Sequence, residues 1–253
     1  MRLIKNDFEI SGRGSMQPIT SDEYFEQYIE FKLQLENSNR GFQMEWSDKL
    51  PILNERTESL TFDKHYVYHV GWAARILARL NPEKHVDISS FHYFSVIISA
   101  FIQTEYYDYR PLPIMLSNLQ SKHADLTKLQ FPDNSISSLS CMHVVEHIGL
   151  GRYGDPIDPN GDLKAISELK RVLAPNGYLL FVVPVGKARI QFNGQRIYSY
   201  DQVSEYFQDL TLLDYSLISG HENVNGIIQN ASKDQTDKEV IGCGCFLFKK
   251  LRR

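Results

Sequence analysis

The chain has 253 residues, 42% hydrophobic and 23% charged, the make-up of an ordinary globular protein with room for one sizeable core. Its 27 basic and 31 acidic residues leave a net charge of −4, which argues against general nucleic-acid binding. The longest apolar runs, such as VIISAFI at 96–102, fall far short of a membrane span, and MRLIKNDFEISGRGS lacks an apolar core of signal-peptide length. The expectation is a soluble, cytoplasmic protein. Three cysteines, two of them in GCGCF at 242–246, make no disulfide framework, and their alternation with glycine in an apolar run reads as a strand.

Residues 1–62 read as an accessory helical region and 63–253 as the main domain. The first helix covers 21–37, with a capping start at Ser21 and Phe25, Tyr28, Ile29 and Leu33 at helical spacing. A second covers 63–82, from an Asp63 cap through Val67, Val70, Ala74 and Leu77 to a stop at Asn81-Pro82. His65 and His69 stand four apart on it, a spacing that suits a metal, but no third ligand stands beside them and they read as surface histidines. From residue 84 strands and helices alternate. KHVDISS is a strand, SFHYFSVIISAFI a buried helix, and TEYYDYRP a strand ending at Asp108. HADL is a short strand end at Asp125, and after a turn at 132–134 a further strand runs to His143. In 161–177, Leu163, Ile166, Leu169, Val172 and Leu173 share one helical face before a closing Pro-Asn-Gly turn, and YLLFVVPVG follows as a strand buried on both faces. Residues 210–219 and 241–250 are strands with no long helix between them, an antiparallel pair at one edge. The fold class is therefore α/β, a Rossmann-like doubly wound sheet of about seven strands, mostly parallel with one antiparallel edge strand, plus the N-terminal helical region.

Ligands of such sheets bind outside the carboxyl ends of the strands, where strand order reverses. The strand ends here carry Asp87, Asp108, Asp125 and His143. A carboxylate closing the second strand can accept both hydrogen bonds of a ribose diol, and one after the third can accept from an exocyclic amine, so the series points to an adenosine ligand. His143, Glu146 and His147 follow HxxEH spacing, which could gather a divalent metal on one helical face, or leave His147 or His143 as a base. A protease reading of the motif fails because it starts at a strand end. The loop 149–162 is no calcium site, since Pro156 and Ser167 occupy ligand positions; it reads as a substrate-facing lid offering Arg152 and Tyr153. Lys187, Arg189 and Arg196 in GKARIQFNGQRIYS could hold a phosphate or a nucleotide-linked sugar.

ADLTKLQFPDNSISSLSCMHVVEHI and ELKRVLAPNGYLLFVVP resemble the class I S-adenosylmethionine-dependent methyltransferases, a likeness spanning roughly 84–250. The longer string HVVEHIGLGRYGDPIDPNGDL, with GKARIQFNGQRIYS and GCGCFLFKK, is similar to a narrower, largely uncharacterised family found in bacterial surface-glycan gene clusters. The resemblance implies S-adenosylmethionine held by Asp87, Ser89, Asp108, Arg110, Asp125, Leu126, Met142 and His143. It implies methyl transfer to an oxygen of a small glycan-related or phosphorylated acceptor, with His147, His143 and Glu146 catalytic and Arg152, Tyr153, Lys187 and Arg189 at the acceptor. CMHVVEH is also similar to the CMExxEH string of ubiquinone-biosynthesis O-methyltransferases, which implies a divalent metal at His143, Glu146 and His147. Histidine in place of the first glutamate favours Zn²⁺ or Mn²⁺ over Mg²⁺. One departure stands out: where the family has DxGxGxG, this chain has DISSFHYFS, without a glycine. That supports an alternative, a non-catalytic methyltransferase-like binding or scaffold protein. A nicotinamide-dependent dehydrogenase is disfavoured because GxGxxG is missing.

Overall fold

A computed structural model describes residues 17–58 and 60–252; the stretch MRLIKNDFEISGRGS lies outside them. The described residues fall into two compact units, divided between Phe62 and Asp63. No helix among them is long and apolar enough to cross a membrane. In the first unit, α1 (Ser21–Glu36) is capped by Thr20, whose hydroxyl accepts from the Glu23 N–H at 3.1 Å. The cap thus sits one residue before Ser21, because Thr20 keeps extended backbone angles while Ser21 is already helical. Tyr28 packs edge-on against Trp46 at 4.7 Å, and Arg56 grips both carboxylate oxygens of Glu23 at 2.6 and 2.9 Å.

The second unit begins with α2 (Lys64–Leu80), capped by Asp63 and closed by left-handed Asn81 ahead of Pro82. Then come β1 (Lys84–Ile88), α3 (His92–Ile98), β2 (Gln103–Asp108), β3 (Leu119–His123) and β4 (Ile136–Met142). After α4 (Gly161–Val172) come β5 (Leu173–Val185) and the hairpin β6 (Arg189–Gln191) and β7 (Gln195–Ile197). The chain ends with α5 (Tyr200–Tyr206), β8 (Thr211–Ile218), β9 (Ile228–Gln229), α6 (Lys233–Asp237) and β10 (Gly242–Lys249). Helix α4 stops at Val172, ahead of the expected Pro-Asn-Gly turn, because Pro175 disfavours helical backbone at Ala174.

The main sheet has eight strands in the order β3-β2-β1-β4-β5-β10-β8-β9. Neighbours from β3 to β5 are parallel, and β10 is antiparallel to both β5 and β8. The expected antiparallel pairing of the last long strands is present, with β10 inserted between β5 and β8. It can sit there because Gly242 to Phe248 are apolar or small enough to be buried on both faces. Alternation along β5 divides the core. Leu179, Phe181 and Val183 face the cluster of α4 and α5, while Leu180 and Val182 face Trp72, Ile76, Leu77, Phe94 and Ile98 of α2 and α3.

Strand order reverses between β1 and β4. Both strands leave the sheet through a non-glycine residue in the left-handed region, Ser89 at φ 56° and His143 at φ 58°. That conformation costs an L-residue roughly 1–2 kcal/mol. At Ser89 it is offset by two bonds to the Tyr107 carbonyl, from the backbone N–H at 2.7 Å and the hydroxyl at 3.1 Å. Serine thus holds a backbone conformation more usual for glycine. Chemical denaturation should find Ser89→Gly within about 1 kcal/mol of the wild type, and Ser89→Val lower by about a further 1–2 kcal/mol. Equal stability of the two variants would show that the left-handed turn does not govern this position.

Candidate functional site

The floor of the site lies in the sheet itself. Asp87 is fully buried on β1, and its carboxylate accepts from Ser140 of β4 at 2.5 Å and from Ser95 of α3. Burial, only partly opposed by the bonds from Ser140, Ser90 and Ser95, pushes its carboxyl up to about 6. His85, also buried, bonds Ser138 and Ser140, each at 2.8 Å. With the Ser140 proton given to an ionised Asp87, His85 Nε2–H donates to Ser140 and Nδ1 accepts from Ser138. Burial pushes the imidazole down to about 3, so it stays neutral. The Met142 N–H donates to Ser90 at 3.0 Å, which stitches the loop after β1 to the end of β4. Asp87 and Met142 therefore lie beneath the site. Sequence reading missed His85, Ser138 and Ser140; polar residues at i, i+2 in two otherwise apolar strands were their signal.

A cavity of about 460 Å³ opens above this floor, over the carboxyl ends of β1, β2 and β4. Its walls bring together Ser89, Asp108, Arg110, Asp125, Leu126 and His143, with His147 and Tyr153 from the next segment. Asp108 accepts the Arg110 N–H at 2.7 Å and the Tyr106 hydroxyl at 3.1 Å. On Asp125 both bonds from Thr127, at 2.7 and 2.8 Å, fall on Oδ1. Oδ2 has no such bond among the described residues.

The HVVEH segment has two layers. Residues 145–147 form a single 3-10 turn, and His143 precedes it in a left-handed conformation, so the three polar side chains do not share a helical face. His147 Nδ1 bonds the Gly194 carbonyl at 2.7 Å, which makes Nδ1 the donor and leaves the Nε2 lone pair on a ring that lines the cavity. Glu146 is buried. Its Oε1 lies 2.9 Å from His143 Nδ1 and 3.9 Å from His147 Nε2, and Oε2 has no partner. Burial pushes the Glu146 carboxyl up to about 7, partly countered by His147. The expected metal trio of His143, Glu146 and His147 is not the one that converges. Among the described residues, donor atoms mutually within 4.8 Å come from His69, His143 and Cys243. His69 is accordingly no surface histidine: it is completely buried.

The loop from 149 to 162 is tied at two points. Asp155 accepts backbone N–H groups of Gly149 at 2.7 Å and Tyr153 at 3.2 Å. A Cβ on Gly149 would come within 2.1 Å of the Asp158 carbonyl, so only glycine fits there. Arg196 is buried and donates to the carbonyls of Ile148 at 2.7 Å, Pro159 at 3.3 Å and Asp158 at 3.4 Å, with Asp162 at 3.5 Å. Its charge is engaged within the protein, so it is not available to an acceptor phosphate. Arg189 donates to the carbonyls of Val240 and Lys187 at 2.8 and 3.0 Å and borders a separate hollow, and exposed Lys187 is not on the main cavity wall either. Lys187 lies in the turn between β5 and β6, and Arg189 opens the hairpin, so neither lines the cavity. Arg152 donates to Gly194 at 3.3 Å and stacks on Tyr153, whose ring also lies under Arg110.

Residues 102–241, more than half of the chain, match the family described as "Caenorhabditis protein of unknown function, DUF268". No curated protein matches the sequence. In structure the chain is similar to 1,6-didemethyltoxoflavin-N1-methyltransferase of Burkholderia thailandensis, solved with 1,6-didemethyltoxoflavin and S-adenosylhomocysteine. That match has a TM-score of 0.52 at 11% identity, over 94% of this chain and 95% of the other. It is also similar to the YcgJ protein of Bacillus subtilis, with a TM-score of 0.51 at 13% identity, over 73% of this chain and 99% of that one. At these identities the likeness establishes the fold, that of Rossmann-like methyltransferases.

The Arg196 network makes its own stability prediction. Arg196→Ala removes the cation beside buried Asp162, which keeps only the Tyr198 hydroxyl, and takes the donors from several loop carbonyls, a loss of about 3–5 kcal/mol in chemical denaturation. Lys187→Ala, at an exposed position, should change stability by no more than about 0.5 kcal/mol. Similar small effects from both would mean that the loop does not hang on Arg196.

Proposed function

The chain belongs to the DUF268 family, and we propose that it is an S-adenosylmethionine-dependent methyltransferase acting on an oxygen of a small acceptor. The observation that carries this reading is the cavity at the β1–β4 reversal, in which Asp108 and Asp125 stand at the ends of successive strands and His147 opposite them presents a free ring nitrogen. Its volume is in the range of small-ligand sites, roughly 300–1,000 Å³. Asp108 is the partner for the ribose hydroxyls and Asp125, through Oδ2, for the adenine amine. Ser89 provides the close backbone turn beside the methionine part. S-adenosylmethionine, when bound, supplies a methyl group already activated by its sulfonium.

The chain's own work is alignment and proton removal. His147 is held by Gly194 in the tautomer whose Nε2 can take a hydroxyl proton. Glu146, 3.9 Å from Nε2, stabilises the imidazolium that forms. Arg110 on the cavity wall is the cation that suits an acceptor bearing phosphate, in place of Lys187 and Arg189, since Lys164 on the same wall is paired with Asp158 at 2.7 Å. A glycan-related acceptor rests on the sequence resemblance of the HVVEHIGLGRYGDPIDPNGDL segment. The glycine-free turn at Ser89 favours a second reading, a methyltransferase-like binding or scaffold protein.

Calorimetry with S-adenosylhomocysteine separates the two. The methyltransferase reading expects binding, weakened by about 1–3 kcal/mol in each of Asp108→Ala and Asp125→Ala, or roughly 5- to 150-fold. An absence of binding to the wild type would leave the scaffold reading. His147→Ala should reduce turnover by about 10²–10⁴-fold while S-adenosylhomocysteine affinity changes little. Undiminished turnover in that variant would remove His147 from the chemistry.

A further inference from the structure

We propose that His69, His143 and Cys243 form a binding site for a transition-metal ion, zinc by the chemistry of its donors, behind the wall of the cavity. The three residues come from α2, the end of β4 and β10, far apart in sequence, yet their donor atoms all lie within 4.8 Å of one another. His143 Nε2 and Cys243 Sγ are 3.3 Å apart. A tetrahedral ion with Zn–N of about 2.1 Å and Zn–S of about 2.3 Å sets such a pair roughly 3.5 Å apart, so this edge is nearly formed.

The surroundings of the two imidazoles strengthen the assignment. His69 Nδ1 bonds the His65 carbonyl at 2.6 Å, and His143 Nδ1 bonds the Glu146 carboxylate at 2.9 Å. Metal-bound histidines are oriented in this way, with one ring nitrogen donating to a carbonyl or carboxylate and the other free to ligate. Both tautomers are thereby set, and Nε2 of each ring is left to ligate, that of His143 already against the Cys243 thiol. His69 Nε2 is fully enclosed and has no hydrogen-bond partner, a buried polar atom for which the protein itself provides nothing. Two imidazoles and a thiolate select zinc over Mg²⁺ or Ca²⁺, which require oxygen. Cys245 Sγ is 3.9 Å from Cys243 Sγ but outside the converging set, so three protein ligands hold the ion and a fourth position stays open. The ion would pin α2 to the sheet and fix His143, a residue that borders the cavity.

The test reads metal content and spectra and does not depend on methyl transfer. Full-length protein purified under reducing conditions from zinc-supplemented culture should carry about one zinc per chain, and Co²⁺ substitution should give a thiolate charge-transfer band. Cys243→Ser should abolish the band, while Cys245→Ser keeps it. His69→Ala should lose the ion, and Glu146→Gln should weaken zinc binding roughly 10- to 100-fold. His147→Ala should retain it, whereas the reverse pattern, ion lost in His147→Ala and kept in His69→Ala, would assign it to the HxxEH residues and overturn the proposal. So would wild-type protein that holds below about 0.1 equivalent of zinc and gives no Co²⁺ band, a result independent of how any variant folds.

Discussion

Asp87 is the constraint around which the site is arranged. A carboxylate with no access to water is tolerated only if its oxygens are met by donors, and here the donors come from β4, α3 and the loop after β1. Those bonds set how closely β1 and β4 approach where the strand order reverses. They also set where α3 begins and hence the course of Ser89 and Ser90. His85 extends the same network one layer down, so that the β1–β4 pair is joined by side chains as well as by backbone pairing. The cavity exists because both strands turn sharply away above this polar pin.

Above the pin the polar residues divide by burial. His147 and Asp125 meet the cavity, while Glu146 and Arg196 work inside the protein to hold the segments that present them. Arg196 gathers carbonyls from both ends of the glycine-rich loop. A segment with several left-handed glycines, entropically costly to order, is thereby given a defined path. His143 belongs to the inner layer despite its place at a strand end. Its ring lies among His65, Tyr66 and His69 of α2, with Cys243 beyond.

The parallel half of the sheet was legible because its signals are local. Apolar runs punctuated by turn residues announce β1, β2, β4 and β5, and acidic residues at their ends mark the ligand edge. Of those, Asp108 and Asp125 line the cavity, together with His147 from the turn after β4. Lys187 and Arg189 do not line it: the first lies in the turn after β5 and the second opens a hairpin of two three-residue strands, and short polar strands carry no periodicity to read. His69 was misread for a related reason. Histidine on a helix is compatible with either environment, and only the packing of α2 on β10 decides which.

By itself the sequence determined the strand and helix alternation, the carboxylates at the strand ends and the absence of glycine after β1, since each depends on residues close together in the chain. The tertiary structure alone decided three things: the insertion of β10 between β5 and β8, the use of Arg196 within the protein, and the meeting of His69, His143 and Cys243. Each of these joins residues tens to more than a hundred positions apart. Which distant residues meet is settled by how two apolar faces of one sheet are covered, and that is a property of the packed whole rather than of any segment.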